Sequence, residues 1–266
     1  MRLTISHQTR YNFEQAPATG LQQVRMTPQN GPSQTIADWK VAIEGGRQQA
    51  QFRDQHDNIV QLMSIDRDTT ELILTAKGVV ETKDVFGVIG PHQGFAPLWY
   101  YKRPTALTRP GKGVRKLVKD LGTDHEGSVA QLHALSRLIG EVVSYEKGAT
   151  QVSADAETAV DNGAGVCQDH AHVFLSAARL LGFPARYVSG YFMLQDSIEQ
   201  DAGHAWAEAH VDGLGWVGFD VSNAISPDER YVKVAIGCDY AEAAPVSGLF
   251  QRTGSETLQV SLQVQQ

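Results

Sequence analysis

The sequence has few cysteines and no long apolar run. Only Cys167 and Cys238 are present in 266 residues, which excludes a disulfide-dense scaffold and a zinc site built on Cys-x2-Cys pairs. No stretch approaches the ~18 consecutive apolar residues of a membrane span. The opening residues, MRLTISHQTRYNF, lack the basic and apolar segments of a signal peptide. We therefore expect a cytoplasmic protein with reduced cysteines and no membrane partner.

Positive charge is also scarce. The chain has 23 Lys and Arg against 30 Asp and Glu, for a net charge of -7 and a pI near 5.7. A protein that binds nucleic acid by neutralising phosphates needs the opposite balance. We therefore expect no nucleic-acid partner. The hydrophobic content of 42% is sufficient for a globular core.

The N-terminal region has the pattern of an antiparallel β domain. From Leu3 to Phe13 apolar and polar side chains alternate, and this period of two predicts a half-buried strand. Residues 1–85 are therefore predicted to form a small antiparallel β-sandwich. Further strands within it are predicted over residues 22–27, 35–43, 59–65 and 71–80.

Prolines mark a change of organisation after this domain. Pro91, Pro97, Pro104 and Pro110 lie in residues 86–118, which we interpret as a linker or extended crossover. Residues 119–266 then predict a core of helices and strands, so the fold class is α+β. Apolar residues at steps of three and four predict helices over 128–143 and 167–181, and strands are predicted over 185–193, 203–211, 216–221 and 257–265.

The segment GAGVCQDH, residues 163–170, carries the first chemical signal. It places Cys167 in the first turn of a predicted helix, behind a flexible glycine loop. The positive end of the helix dipole favours an anion there, and the thiolate is the nucleophilic form of cysteine. Taken alone, Cys167 is better interpreted as a small buried core residue.

The second signal is a predicted hairpin with the sequence HAWAEAHV, a turn, and GWVGFD ending at Asp220. His204, Trp206 and Glu208 share one face of the first strand. A cysteine, a histidine and a carboxylate on separate elements are the parts that generate a thiolate, move its proton and orient the imidazole. These residues indicate a triad of Cys167, His204 and Asp220.

The two runs GVCQDHAHVFLSAARLLGFPARYVSGYF and HAWAEAHVDGLGWVGFDVSN closely resemble the transglutaminase-like superfamily of bacterial proteins. The usual form is a G-V-C-x-D-x-A-H helix, an H-A-W-A-E strand and a G-W-x-x-F-D strand. The resemblance implies a papain-like core with Cys167 as nucleophile, His204 as general base and acid, and Asp220 as the residue that orients it. The N-terminal β region and residues 229–240 also resemble this bacterial subgroup.

Two residues depart from that pattern. Cys238 stands where the family has Arg, before Asp239 and Tyr240, and we predict it to be unreactive beside Cys167. His170 stands where an aromatic residue is common. One helical turn from Cys167, it could tune the thiol, but a solvent-facing position is the favoured interpretation.

Three alternatives to a cysteine hydrolase remain. A metal bound by Cys167, His170 and His172 is disfavoured, because residues 170 and 172 point about 200° apart on a helix, and no cofactor or metal is expected. A binding module that has lost its chemistry is disfavoured by the intact triad. Within the enzyme class, water as second substrate gives a peptidase or amidase, and an amine acceptor gives a transglutaminase. The expected partner is a peptide or protein substrate that carries an amide.

The triad imposes a condition on the hairpin. His204 and Asp220 must lie on one face, and paired residues of an antiparallel hairpin have a constant sum. A four-residue loop over 212–215 would turn His204 away from Asp220. We therefore predict an odd-length connection or a bulge, with His210 paired to Trp216 and Asp220 in hydrogen-bond reach of His204.

Overall fold

A computed structural model describes residues 1–194, 197–251 and 255–266. The N-terminal region consists of strands joined by turns, and every strand prediction made for it is confirmed within a few residues. Its elements are β1 (Arg2–Phe13), β2 (Thr19–Thr27), β3 (Gln34–Glu44), β4 (Gly46–Arg53), β5 (Ile59–Ile65), β6 (Glu71–Thr82) and β7 (Val88–Gly90). The sequence analysis does not predict β4, whose residues after Gly46 are all exposed and mostly polar.

The rest of the chain has most of its helices first and most of its strands after them, in keeping with the predicted α+β class. After a 3₁₀ helix (Leu98–Lys102) its helices are α1 (Lys112–Leu121), α2 (Ser128–Val142), α3 (Ala156–Asn162), α4 (Cys167–Leu180) and α5 (Tyr240–Ala243). Its strands are β8 (Ser144–Tyr145), β9 (Ala164–Gly165), β10 (Ala185–Phe192), β11 (Glu199–Gln200), β12 (His204–Val211), β13 (Gly215–Phe219), β14 (Tyr231–Gly237), β15 (Val246–Gln251) and β16 (Glu256–Gln265). None of the described helices is long and apolar enough to cross a membrane.

Two sheets form the N-terminal sandwich. One has the order β11-β16-β1-β6-β3 and the other β15-β2-β5-β4, with antiparallel pairing throughout. Buried side chains from both sheets, among them Val24, Met63 and Leu74, pack between them. The last two strands thus pair with the N-terminal sheets and not with the central sheet of the core, although the proposed boundaries place them in residues 119–266.

The central sheet of the core has the order β14-β10-β12-β13-β7. The side chains of β12 alternate between the two faces of this sheet, as predicted. On one face, Ala205, Ala207 and Ala209 pack with α4 in the largest core cluster. On the other face, Trp206 packs in a separate cluster. The small alanine side chains let α4 approach the sheet closely. This places the first residues of α4 and of β12 at the same end of the core.

The sandwich contacts the core through the outer edge of β14. The Gln34 side chain accepts from the Lys233 N–H and donates to the Lys233 carbonyl, both at 2.8 Å. Asn58 does the same at Ile236, at 2.8 Å and 2.7 Å. These side-chain amides satisfy backbone groups of an edge strand that would otherwise need water or another strand. They therefore fix the sandwich against the sheet that carries the site.

Candidate active site

Cys167 is the first residue of α4 and is half-buried. The loop before it is held by Asp169, whose Oδ2 accepts from the Val166 N–H at 2.8 Å and from the Thr150 hydroxyl at 2.5 Å. Gly165 permits this turn, since a Cβ there would lie 2.7 Å from the Asp169 Cβ. The thiol is therefore fixed where the unpaired N–H groups and dipole of the helix favour an anion.

His204 begins β12, and Asp220 follows directly after β13. His210 pairs with Trp216, as the sequence analysis predicts, and Val211 also pairs with Gly215. The connection is thus three residues, 212–214, and has the odd length that the triad requires. The register brings the two side chains to one face, where His204 Nε2 lies 2.6 Å from Asp220 Oδ2.

Asp220 is buried and accepts several hydrogen bonds. Besides His204, its Oδ2 accepts from the Asn223 side-chain amide and from the Tyr231 hydroxyl, both at 2.7 Å. Burial alone would raise the pKa of Asp220, but these hydrogen bonds, with the charge of His204, lower it below its ordinary value. The carboxylate is therefore ionised and oriented at neutral pH.

His204 carries the opposite charge. Burial lowers its pKa, but hydrogen bonds to Asp220 and to the Cys167 thiol, with the charges of both partners, outweigh burial and raise the pKa to about 10. Since Asp220 occupies Nε2, Nδ1 is the ring nitrogen that remains for the thiol. The structure thus brings together all three residues of the predicted triad.

Aromatic rings enclose the imidazole of His204. The ring centroids of Phe192, Tyr231 and Trp206 lie 5.3, 5.9 and 6.3 Å from its own. The sequence patterns did not identify Tyr231 and Asn223 as hydrogen-bond donors to Asp220. A signal for both was present: Asn223 ends the quoted run GWVGFDVSN, and Tyr231 lies in the segment 229–240 that resembles the bacterial subgroup.

His170 does not face solvent, and that interpretation is wrong. Its side chain is buried, with Nε2 2.8 Å from the Val143 carbonyl and Nδ1 2.8 Å from Ser222 Oγ. Burial lowers its pKa, so the ring is neutral, donates from Nε2 and accepts from the Ser222 hydroxyl at Nδ1. His170 therefore connects the end of α2 to the loop after Asp220, because α4 turns this face inward.

Cys238 lies away from the triad, beyond β14. It is fully buried, and burial together with the nearby Glu242 carboxylate raises the pKa of its thiol to about 12. The thiolate form is thus strongly disfavoured. This environment supports the prediction that Cys238 is unreactive.

A cleft of about 520 Å³ contains both Cys167 and His204. The 145–148 segment and Phe192 form parts of its wall, and Asn223 contributes a polar group. A cleft of this size accommodates a side chain or short peptide segment and is partly open to solvent. The cleft can therefore hold an amide carbonyl against the thiol, and water can still reach that carbonyl.

Comparisons with known proteins find similar sequences for both parts of the chain. The family model described as the transglutaminase-like superfamily matches residues 115–221, and that of the bacterial transglutaminase-like N-terminal region matches residues 3–81. An uncharacterized protein of Mycobacterium leprae is 28% identical over 276 residues, which span 99% of this chain and 98% of the relative. One from Mycobacterium tuberculosis is 25% identical, spanning 99% of this chain and 91% of the relative.

One solved structure covers the whole chain. It is the crystal structure of "a Putative Cysteine Protease from Cytophaga hutchinsonii", with a TM-score of 0.80 and 21% identity over 100% of this chain and 90% of that one. At this identity the likeness establishes the fold. The two matched regions cover the sandwich strands β1–β6 and all three triad residues, and the chain belongs to the transglutaminase-like superfamily, in the form that carries the bacterial N-terminal region.

Proposed function

We propose that this protein is a cysteine-nucleophile amide hydrolase, a peptidase or amidase that acts through a thioester. The observation that supports this most directly is the 2.6 Å hydrogen bond between His204 and Asp220, in the same cleft as a thiol at a helix N-terminus. Membership of the superfamily is consistent with cysteine-based chemistry at the family level. The substrate is a peptide or protein carrying an amide.

The first half of the proposed reaction forms the acyl-enzyme. The nucleophile is the thiolate form of Cys167, and His204, whose pKa is raised to about 10, is the imidazolium beside it. Cys167 Sγ attacks the amide carbon, and the C–N bond breaks as His204 gives its proton to the leaving nitrogen. Asp220 holds the ring and stabilises its positive charge, as the carboxylate of a serine protease triad does.

The negative oxygen of the tetrahedral intermediate needs hydrogen-bond donors. The backbone N–H of Cys167 is one of the four at the start of α4 that have no acceptor within the helix. A carbonyl attacked by Sγ lies beside this N–H, which we propose as one oxyanion donor. Removing a single donor of this kind in other enzymes costs about 10²–10³ in kcat.

The second half resolves the thioester. Water entering the partly open cleft gives up a proton to neutral His204, attacks the thioester carbon and releases a carboxylic acid. An amine attacking the same carbon would give transfer in place of hydrolysis. We place the reaction in a reducing compartment such as the cytoplasm, because both cysteines are free and the chemistry requires a thiol.

A panel of glutamine-containing peptides and small amides, incubated with and without a primary amine, tests the proposal. Release of ammonia or cleaved peptide by the wild-type protein, and none by Cys167→Ser, is the expected result. If the amine is incorporated in preference to water, the protein is a transferase and the proposed hydrolysis is wrong. Equal turnover by the Cys167→Ser protein would refute the cysteine mechanism altogether.

A further inference from the structure

A second group of chemically active side chains lies where the sandwich contacts the core. His56 is in the turn between β4 and β5, whereas Cys238 and Glu242 flank the start of α5. One nitrogen, one sulfur and one carboxylate oxygen from these residues all lie within 4.8 Å of one another. Three elements from two parts of the chain thus converge on one point.

The contacts within this group are short. His56 Nε2 is 2.7 Å from Glu242 Oε2, and the same oxygen accepts from the Cys238 backbone N–H at 2.8 Å. The side chains of His56 and Cys238 have no exposed surface, and that of Glu242 is 24% exposed. The group is therefore shielded from bulk water on the side of His56 and Cys238 but reachable from solvent along the glutamate.

We propose that His56, Cys238 and Glu242 form a zinc-binding site distinct from the triad. Imidazole nitrogen, thiolate sulfur and carboxylate oxygen are the ligands that Zn²⁺ takes in proteins. The thiolate and the carboxylate together neutralise the charge of the ion. The imidazole contributes no charge when it binds as the neutral ring.

The surroundings of His56 suit a metal ligand. Its Nδ1 lies 3.0 Å from the Tyr101 hydroxyl. Without metal, Nε2 donates to Glu242 and Nδ1 accepts from Tyr101. With zinc on Nε2, the ring proton moves to Nδ1 and Tyr101 becomes the acceptor. An oriented partner on the second ring nitrogen is the usual companion of a zinc-bound histidine.

Binding requires a small rearrangement. Zinc bonds of about 2.0–2.2 Å to nitrogen and oxygen place tetrahedral ligand atoms about 3.3 Å apart, so His56 Nε2 and Glu242 Oε2 must separate by roughly half an ångström. The exposed edge of Glu242 leaves room for this movement and for a water as fourth ligand. Zinc displaces the thiol proton of Cys238, which leaves to solvent.

Two arginines face the group and remain compatible with a neutral zinc complex. Arg103 donates to Glu242 Oε1 at 3.2 Å, the oxygen that His56 does not contact. Its side chain is 47% exposed and can stay solvated. Arg179 donates to the Cys238 carbonyl at 2.6 Å and not to the thiol, which itself donates to the Tyr100 carbonyl at 3.9 Å. Bound zinc would then connect the sandwich, through His56, to the core.

Zinc titration by calorimetry tests the site in the full-length Cys167→Ser protein, which removes the triad thiol as a competing ligand. We expect one equivalent of bound zinc, an affinity at least about 100-fold weaker in Cys167→Ser/Cys238→Ser, and unchanged binding in Cys167→Ser/Glu141→Gln. Glu141 is an exposed glutamate on α2 and serves as the matched control for Glu242→Gln, which should also lose affinity.

Cobalt substitution gives a readout that does not depend on the folding of a variant. Since the chain has two cysteines, a thiolate-to-cobalt absorption band in the Cys167→Ser protein can come only from Cys238. Absence of that band, absence of zinc binding, or zinc binding that survives Cys238→Ser would each overturn the proposal. A band that zinc abolishes by displacement supports it.

Discussion

The two cysteines occupy opposite environments in one molecule. Cys167 is half-buried at the start of α4 and hydrogen-bonds with a charged histidine. Cys238 is fully buried beside a carboxylate, and the pKa of its thiol is raised to about 12. Reactivity of a thiol is thus decided by helix position and neighbouring charge. The residue type alone, read from the sequence, does not decide it.

His172 and His204 show the same dependence on neighbouring groups. Burial, aided by Arg179, lowers the pKa of His172 to about 3, whereas His204 is raised to about 10 although it too is buried. His172 Nε2 accepts from the Tyr240 N–H, so its contact favours the neutral ring. His204 contacts a carboxylate and a thiol. The partners of His204 therefore reverse the effect on the pKa that burial has at His172.

The largest effect in the comparison of the two cysteines should come from replacing each side chain by the methyl group of alanine. Cys167→Ala should reduce amide turnover by at least about 10³-fold, since no other group in the cleft can form the thioester. Cys238→Ala should keep turnover within a few-fold of wild type. Turnover assays with matched thermal unfolding curves check both. Equal losses in the two variants would mean that the thiols do not differ in role.

Asp220→Asn should give the next largest effect. The amide cannot hold His204 as a charged ring, and we expect kcat to fall by about 10²–10⁴-fold while the pKa of His204 drops towards its ordinary value of 6.5. NMR titration of the histidines measures the second effect. Tyr231→Phe, which removes one hydrogen bond to the same carboxylate, is the milder control. An unshifted His204 in Asp220→Asn would show that Asp220 does not set its charge.

Brief alkylation with iodoacetamide at neutral pH compares the thiols directly. We expect Cys167 to be modified at least about 100-fold faster than Cys238, because the latter is buried and protonated. Peptide mass spectrometry gives both rates in one sample. Adding denaturant is the control, since unfolding should make the two rates similar. Comparable rates in the folded protein would contradict the activation of Cys167.

The last expected effect is a pH dependence of stability. The folded-state pKa of His204, about 10, exceeds its ordinary value of 6.5, so between these values the folded protein holds a proton that the unfolded chain releases. The resulting stabilisation is complete below pH 6.5, and the free energy of unfolding falls as pH rises towards 10, by up to about 1.4 kcal/mol per pH unit. Urea unfolding across this range measures it, and His204→Gln should flatten the slope.

Much of the fold could be predicted because its patterns are local. Alternation in β1 and the glycine loop before Cys167 each depend on a few consecutive residues, and the transglutaminase-like family and α+β class are confirmed. Helix α1 was missed because Pro104 and Pro110 mark the segment before it as a linker. Its apolar residues Val114, Leu117, Val118 and Leu121 nevertheless follow the helical spacing of three and four, so a signal for the helix was present.

The site residues were proposed from equally local patterns, and the errors have a common cause. Cys167, His204 and Asp220 come together through a helix start and a hairpin register, both readable from spacing. The inward face of His170 depends on how α4 packs against α2. The approach of His56 to Cys238 and Glu242 depends on how the sandwich contacts the core, and no local pattern encodes it.

The pairing of β16 with β1 has a consequence for the order of folding. Thr4 is opposite Gln265, so β1 gains one of its two neighbours only after the chain has been synthesised as far as residue 265. Residues 167–231, which hold the triad and its hydrogen-bond donors, are synthesised well before that. Closing so long a loop is entropically costly and slow. Completion of the sandwich should therefore come late in folding, after all residues of the active site have been synthesised.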